Sequence, residues 1–185
     1  MNTAVTSKEE ILKTSRELIR RQGWPAVSIR SVAASCGVSV GSIYNYFDSK
    51  TDLIGATVES VWCEIFHRPE DDAVFQDVEA CVAWMYQRMA YGCERYPGFF
   101  TLHSLGFLRE DKAAGKQRMQ QTWQHILAGL CSVLKQDVRI RPDAFTEQFT
   151  AEKFADVLFS QMLSALLRQD YDPSAVLEIV RRTLY

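Results

Sequence analysis

Apolar positions recur along this chain at spacings of three and four residues, and no stretch alternates in the two-residue period of a half-buried strand. Ser7-Lys8-Glu9-Glu10 has the S-x-x-E pattern of a capping box. Ile11, Leu12, Ser15, Leu18 and Ile19 then follow on one face as far as Gly23, a suitable stop, which predicts a first helix over 7–22. Trp24-Pro25-Ala26-Val27 cannot continue it. Ser28 offers a second N-cap, and Ile29, Val32, Ala33 and Cys36 form one face of a short helix ending at Gly37. Ser39 caps a third short helix over 39–46. Ser49-Lys50-Thr51-Asp52 resembles a capping box with Asp in place of Glu and opens a fourth helix that reaches Phe66.

Beyond the break at Arg68-Pro69-Glu70-Asp71-Asp72 the helices lengthen. The pattern predicts them over 73–95, 98–109, 113–136, 150–169 and 173–184, with stops at Pro97-Gly98, Arg139-Ile140-Arg141-Pro142 and Tyr171-Asp172-Pro173. The expected fold is all-α with about nine helices. Residues 1–50 would form one domain and 51–185 a second.

With 185 residues, 47% of them hydrophobic, the chain can bury a substantial core, and 9 Gly and 5 Pro exclude a linker-dominated or collagen-like polymer. No apolar run approaches the roughly 18–20 residues that span a bilayer. The first residues show neither the basic nor the apolar region of a signal peptide, so a cytoplasmic location without a membrane partner is expected. Cys36, Cys63, Cys81, Cys93 and Cys131 form no CxxC pair. They are expected to be small buried hydrophobes rather than disulfide or zinc ligands, and no metal or cofactor is expected.

Charge is unevenly spread. Residues 1–50 carry seven Lys or Arg against four acids, a net of +3, and the other 135 carry fourteen against nineteen, a net of −5. A basic head on an acidic body suggests that only the head meets a polyanion. The turn Ser35-Cys36-Gly37-Val38-Ser39 between two short helices suits helix-turn-helix geometry. With Ile43 as the buried anchor and about 100° per residue, Val40, Gly41, Tyr44 and Asn45 point outward and Ser42 and Tyr46 flank the buried side. Small residues at the start of the helix permit close approach to the major groove. The tyrosine hydroxyls and Lys50 suit phosphate, while Arg30 and Asn45 are able to make bidentate contacts with guanine and adenine edges. Packing is an equal alternative for Tyr46 and also serves Phe47, and Lys13, Arg16 and Arg20 are read as a solvated face.

Ser28-Ile29-Arg30-Ser31-Val32-Ala33, followed by Gly37-Val38-Ser39-Val40-Gly41-Ser42-Ile43-Tyr44-Asn45-Tyr46-Phe47-Asp48-Ser49-Lys50-Thr51-Asp52-Leu53-Ile54, resembles the DNA-binding domain of TetR/AcrR-family regulators. The likeness covers residues 8–54 and implies a homodimeric repressor, with residues 1–50 as a helix-turn-helix DNA-binding domain and 51–185 as a dimerisation domain that binds a small-molecule effector. It places Lys50 and Tyr44 on phosphate with Tyr46 beside them, and Arg30, Val40, Gly41, Ser42 and Asn45 at base or close backbone contacts. The cap residues Ser28 and Ser39 complete the set. Val40 departs from the pattern: many relatives carry a Lys or another long polar residue there, so direct readout at this position would be apolar, as with a thymine methyl.

In the helix over 150–169, apolar residues cover roughly 280° of arc, which predicts burial on both sides. Phe154, Leu158, Phe159, Met162 and Leu166, with Val176 and Val180 of the last helix, are the expected dimer interface. A two-fold dimer matches a near-palindromic operator in double-stranded DNA. Trp62, Phe66, Tyr86, Met89, Phe99, His103, Phe107 and Trp123 are candidates for a pocket between helices, or for plain core, and point to an apolar or aromatic effector. Trp84 and His125 fall off the apolar stripes and read as surface or interface. An enzyme finds no support, since no nucleophile elbow, phosphate loop, dinucleotide fingerprint or HExxH is present. A helical interaction protein that binds no operator is the remaining alternative.

Overall fold

A computed structural model describes residues 6–66, 72–99 and 113–185. Among them the chain is all-helical: α1 (Lys8–Gln22), α2 (Ile29–Cys36), α3 (Val40–Tyr44), α4 (Lys50–Ile65), α5 (Val78–Arg95), α6 (Ala113–Gln136), α7 (Ala151–Arg168) and α8 (Ser174–Leu184), with 3₁₀ turns at Trp24–Ala26 and Asp72–Phe75. Beyond Phe99 the helix expected over 98–109 lies outside the described residues, as do His103 and Phe107. Two compact units are formed. One holds the residues up to Ile65 with Gly92–Thr122, the other Phe66–Tyr91 with Trp123–Tyr185. By packing, the first unit therefore extends past residue 50 through the whole of α4.

In the first unit each short helix is fixed by its caps. Ser7 Oγ accepts the Glu10 N–H at 3.1 Å, and Gly23, at φ 79°, closes α1 by donating to the Ile19 carbonyl at 2.8 Å. Ser28 and Ser31 form a reciprocal box at 3.1 and 3.0 Å. Gly37 takes the left-handed conformation, φ 67°, that ends α2 and that a side chain would strain. Ser49 Oγ accepts the Asp52 N–H, and the Asp52 carboxylate accepts the Asp48 N–H, both at 3.1 Å. This is the expected Asp-for-Glu box, shifted by one residue. Ile11, Ile19, Val32, Ile43, Phe47 and Leu53 are fully or almost fully buried and lock the four helices together. α3 is shorter than expected because Tyr46 and Phe47 both donate to the Ile43 carbonyl, a turn that carries Phe47 inward.

In the second unit, α5 starts late because Asp77 Oδ1 accepts the Ala80 N–H at 3.0 Å and so caps it. Val78, Cys81, Val82, Met85, Tyr86 and Met89 are buried, as are Leu130, Val133 and Leu134 of α6. The Asp137 side chain is buried in a polar knot. It accepts the Val78 N–H at 3.0 Å and the Tyr185 hydroxyl at 2.5 Å, and Arg139 Nη2 lies 3.0 Å from its Oδ2. Burial alone would raise the Asp137 pKa, but Arg139, Tyr185 and the backbone donors hold it well below the carboxylate range.

Candidate nucleic-acid interface

The outward surface of α3 follows from its single anchor. Ile43 is completely buried, and the rest of the helix turns away from the core. Val40 is 41% exposed and Tyr44 49%; Gly41 and Asn45 are exposed as well. Arg30 on α2 and Lys50 at the start of α4 are also exposed. Sequence reasoning turned Val40, Gly41, Tyr44 and Asn45 outward, and the structure has all four exposed.

The serines are engaged otherwise. Ser39 Oγ accepts the Ser42 N–H at 3.1 Å and lies 2.9 Å from Ser42 Oγ, and the Ser28 hydroxyl is held by the Ser31 box. Their first task is to hold the helix starts. The Tyr46 hydroxyl donates to the Thr6 carbonyl at 2.6 Å, so its proton ties down the chain before α1. Phe47 is buried, and Lys8 Nζ sits 5.6 Å from its ring centroid.

Gly41 needs no glycine for internal reasons. A Cβ built there would meet nothing nearer than Ser39 Oγ at 3.7 Å, ordinary van der Waals contact.

Reading Arg16 and Arg20 as a solvated face needs correction. Arg16 Nε lies 2.8 Å from Glu64 Oε2; Arg20 pairs with Glu64 Oε1 and donates to the Tyr96 hydroxyl at 2.7 Å. Arg95 Nε is 3.3 Å from the same carboxylate, and the Arg20 guanidinium lies 5.0 Å from the Tyr96 ring centroid. This cluster ties α1 to the last turn of α4 and was missed, because nothing local in sequence links partners so far apart. Burial opposes charge on Glu64, yet the Tyr96 hydroxyl and the arginines hold its pKa below the usual range. Burial and the Glu64 carboxylate push the Tyr96 phenol up to about 12.

The remaining sequence candidates divide between the units. Trp62 and Phe99 are buried in the first, with ring centroids 6.3 Å apart. Tyr86 and Met89 are buried in the second, and Trp123 packs edge-on against Phe159 at 5.7 Å. Phe66 and Phe75 flank Trp84 at 6.3 and 5.5 Å, where a groove of about 430 Å³ is also lined by Cys81, Met85, His125, Leu130, Val133 and Gln136. Trp84 is thus half-buried in a groove wall rather than a free surface residue.

Phe154, Leu158, Phe159, Met162, Leu166, Val176 and Val180 are buried within the single chain. Within one chain they are packed as core. Periodicity could not distinguish the two sides of a helix that is apolar nearly all round. On α7 and α8 the large apolar residues left exposed are Val157, Leu167 and Ile179. Among the described residues, no three His, Cys, Asp or Glu side chains are grouped as a metal ion would need, and no helix is long and apolar enough to cross a membrane.

Residues 11–57 match the family described as bacterial regulatory proteins, tetR family. In these residues the chain carries the TetR-family domain. Its family domain is 40% identical over 52 residues to the uncharacterized HTH-type transcriptional regulator YerO of Bacillus subtilis, an alignment spanning 28% of this chain and 18% of that relative. The chain also shares its fold with a putative transcriptional regulator from Rhodococcus sp. RHA1 (TM-score 0.70, 13% identity, 96% and 94% of the two chains). A further likeness is to the transcriptional regulator FadR of Bacillus subtilis in complex with stearoyl-CoA (TM-score 0.64, 15% identity, 97% and 100%). The matched family is one of regulatory proteins, not of enzymes.

Proposed function

We propose that this chain is a cytoplasmic repressor that binds a near-palindromic operator as a homodimer and is released from it by a small molecule. The observation that carries the reading is the exposed surface of α3, with Ile43 buried behind it and Arg30 and Lys50 also on the free surface. Lys50 and Tyr44 meet phosphate and fix the register; Arg30 and Asn45 read base edges. Gly41 lets the backbone approach, and Ser28, Ser39 and Ser42 hold the two helix starts. Tyr46 serves the fold first.

Dimerisation would use the outer sides of α7 and α8, where Val157, Leu167 and Ile179 are exposed. The effector would be an apolar or aromatic molecule within residues 51–185. Supporting this, the Trp84 groove is walled by aromatic rings, and Trp123 Nε1 is buried without a hydrogen-bond partner among the described residues. That one structural neighbour holds stearoyl-CoA supports a ligand of some kind here too.

The test is binding of the full chain to labelled DNA flanking its own gene, with random duplexes as competitor. Selective binding is expected. Equal affinity for both would favour an interaction protein without an operator.

A further inference from the structure

The outward side of the first turn of α3 offers hardly any free polar group. Ser39 and Ser42 sit at either end of it with their hydroxyls 2.9 Å apart and engaged in the cap. Between them stand only the two γ-methyls of Val40, 41% exposed, and the bare backbone of Gly41, where a Cβ would meet nothing nearer than Ser39 Oγ at 3.7 Å. A branched apolar side chain is a poor match for most of the major groove. Guanine N7 and O6, adenine N7 and N6, cytosine N4 and thymine O4 all lose hydrogen bonds to water when valine covers them. One group there gains from such cover, the thymine C5-methyl.

Building on the operator-binding reading above, we propose that Val40 packs on the methyl group of one thymine in each half-site, with Gly41 providing the clearance for that approach. Val40 then distinguishes thymine from cytosine and from uracil by burying a methyl, with no hydrogen bond involved.

The test starts from randomised duplexes from which the full-length protein selects its preferred sequence. That duplex is resynthesised with each thymine in turn replaced by uracil, which removes only the methyl. One position per half-site should weaken binding about fourfold, the equivalent of one buried methylene. At that position a 5-methylcytosine·guanine pair should bind more tightly than cytosine·guanine. Val40→Ala should bind the thymine and uracil duplexes alike while still selecting at other positions, and Val40→Thr, which keeps one γ-methyl, should retain part of the preference. A selected sequence with no uracil-sensitive position would overturn the assignment to Val40, as would sensitivity undiminished in both variants. No selection at all from the library would instead overturn the operator-binding reading itself.

Discussion

Gly41 separates what the fold asks of a residue from what a partner asks. Glycine inside a helix is less favourable than alanine by roughly 0.5–1 kcal/mol, and a methyl at Gly41 would make only an ordinary contact with Ser39 Oγ at 3.7 Å. Gly41→Ala should therefore leave stability unchanged or raise it by up to about that amount in urea unfolding, while weakening DNA binding. A parallel loss of stability would show that the glycine serves the fold. Lys50→Ala tests the neighbouring assignment. Binding should weaken for specific and random DNA alike, and the salt dependence should become shallower by about one unit per half-site. Arg30→Ala and Asn45→Ala should instead flatten base preferences by about 1–3 kcal/mol at one position of each half-site. Preferences unchanged in both would move the reading to DNA shape or to other residues.

Among the elements, the junction of α1 and α4 makes a prediction in pH. Glu64 has a lowered pKa in the fold, so its contribution is complete above the ordinary carboxylate range and fades as the solution is acidified through it. Tyr96 is raised from 10.0 to about 12, so its contribution is complete below pH 10 and is lost as pH climbs between those values. Glu64→Gln should flatten the acid limb of the stability curve and Tyr96→Phe the alkaline limb, as followed by thermal melting across pH. Limbs unchanged in both variants would mean that other groups set them. The cluster also marks the limit of what the sequence reveals. Ser7, Ser28, Ser39 and Ser49 were legible as caps because each acts on a backbone group three residues away. Arg20 finds partners 44 and 76 residues distant, which no local pattern announces. The exposed side chains of α3 were legible because a single anchor, Ile43, orients the whole helix. For α7 no such asymmetry exists, and the sequence had no means of telling core from outer face.

At the scale of the whole molecule, two linked equilibria should be visible. If Leu167 and Ile179 lie between two copies, Leu167→Glu and Ile179→Glu should shift sedimentation towards the monomer at matched concentration, with helicity kept because both are exposed in the single chain. Dimers of undiminished stability would place the interface elsewhere. Effector and operator, in turn, must act on each other equally: a molecule that lowers operator affinity by some factor has its own affinity lowered by that factor when operator is present. Titration of the effector with and without operator measures it, and identical affinities would refute the coupling.

The buried Cys81 turns the second unit into its own reporter. Burial, with Asp77 nearby, pushes its thiol up to about 12, and only 2% of the residue is exposed, so a thiol-selective alkylating reagent finds almost no thiolate to attack while the unit is closed. Modification at Cys81 must wait for an opening, and its rate, read by mass spectrometry of the peptide carrying it, becomes a clock for the breathing of that unit. Any compound that occupies the Trp84 groove, which Cys81 helps to line, would slow that clock. A library could thus be screened for the proposed effector before any operator sequence is known.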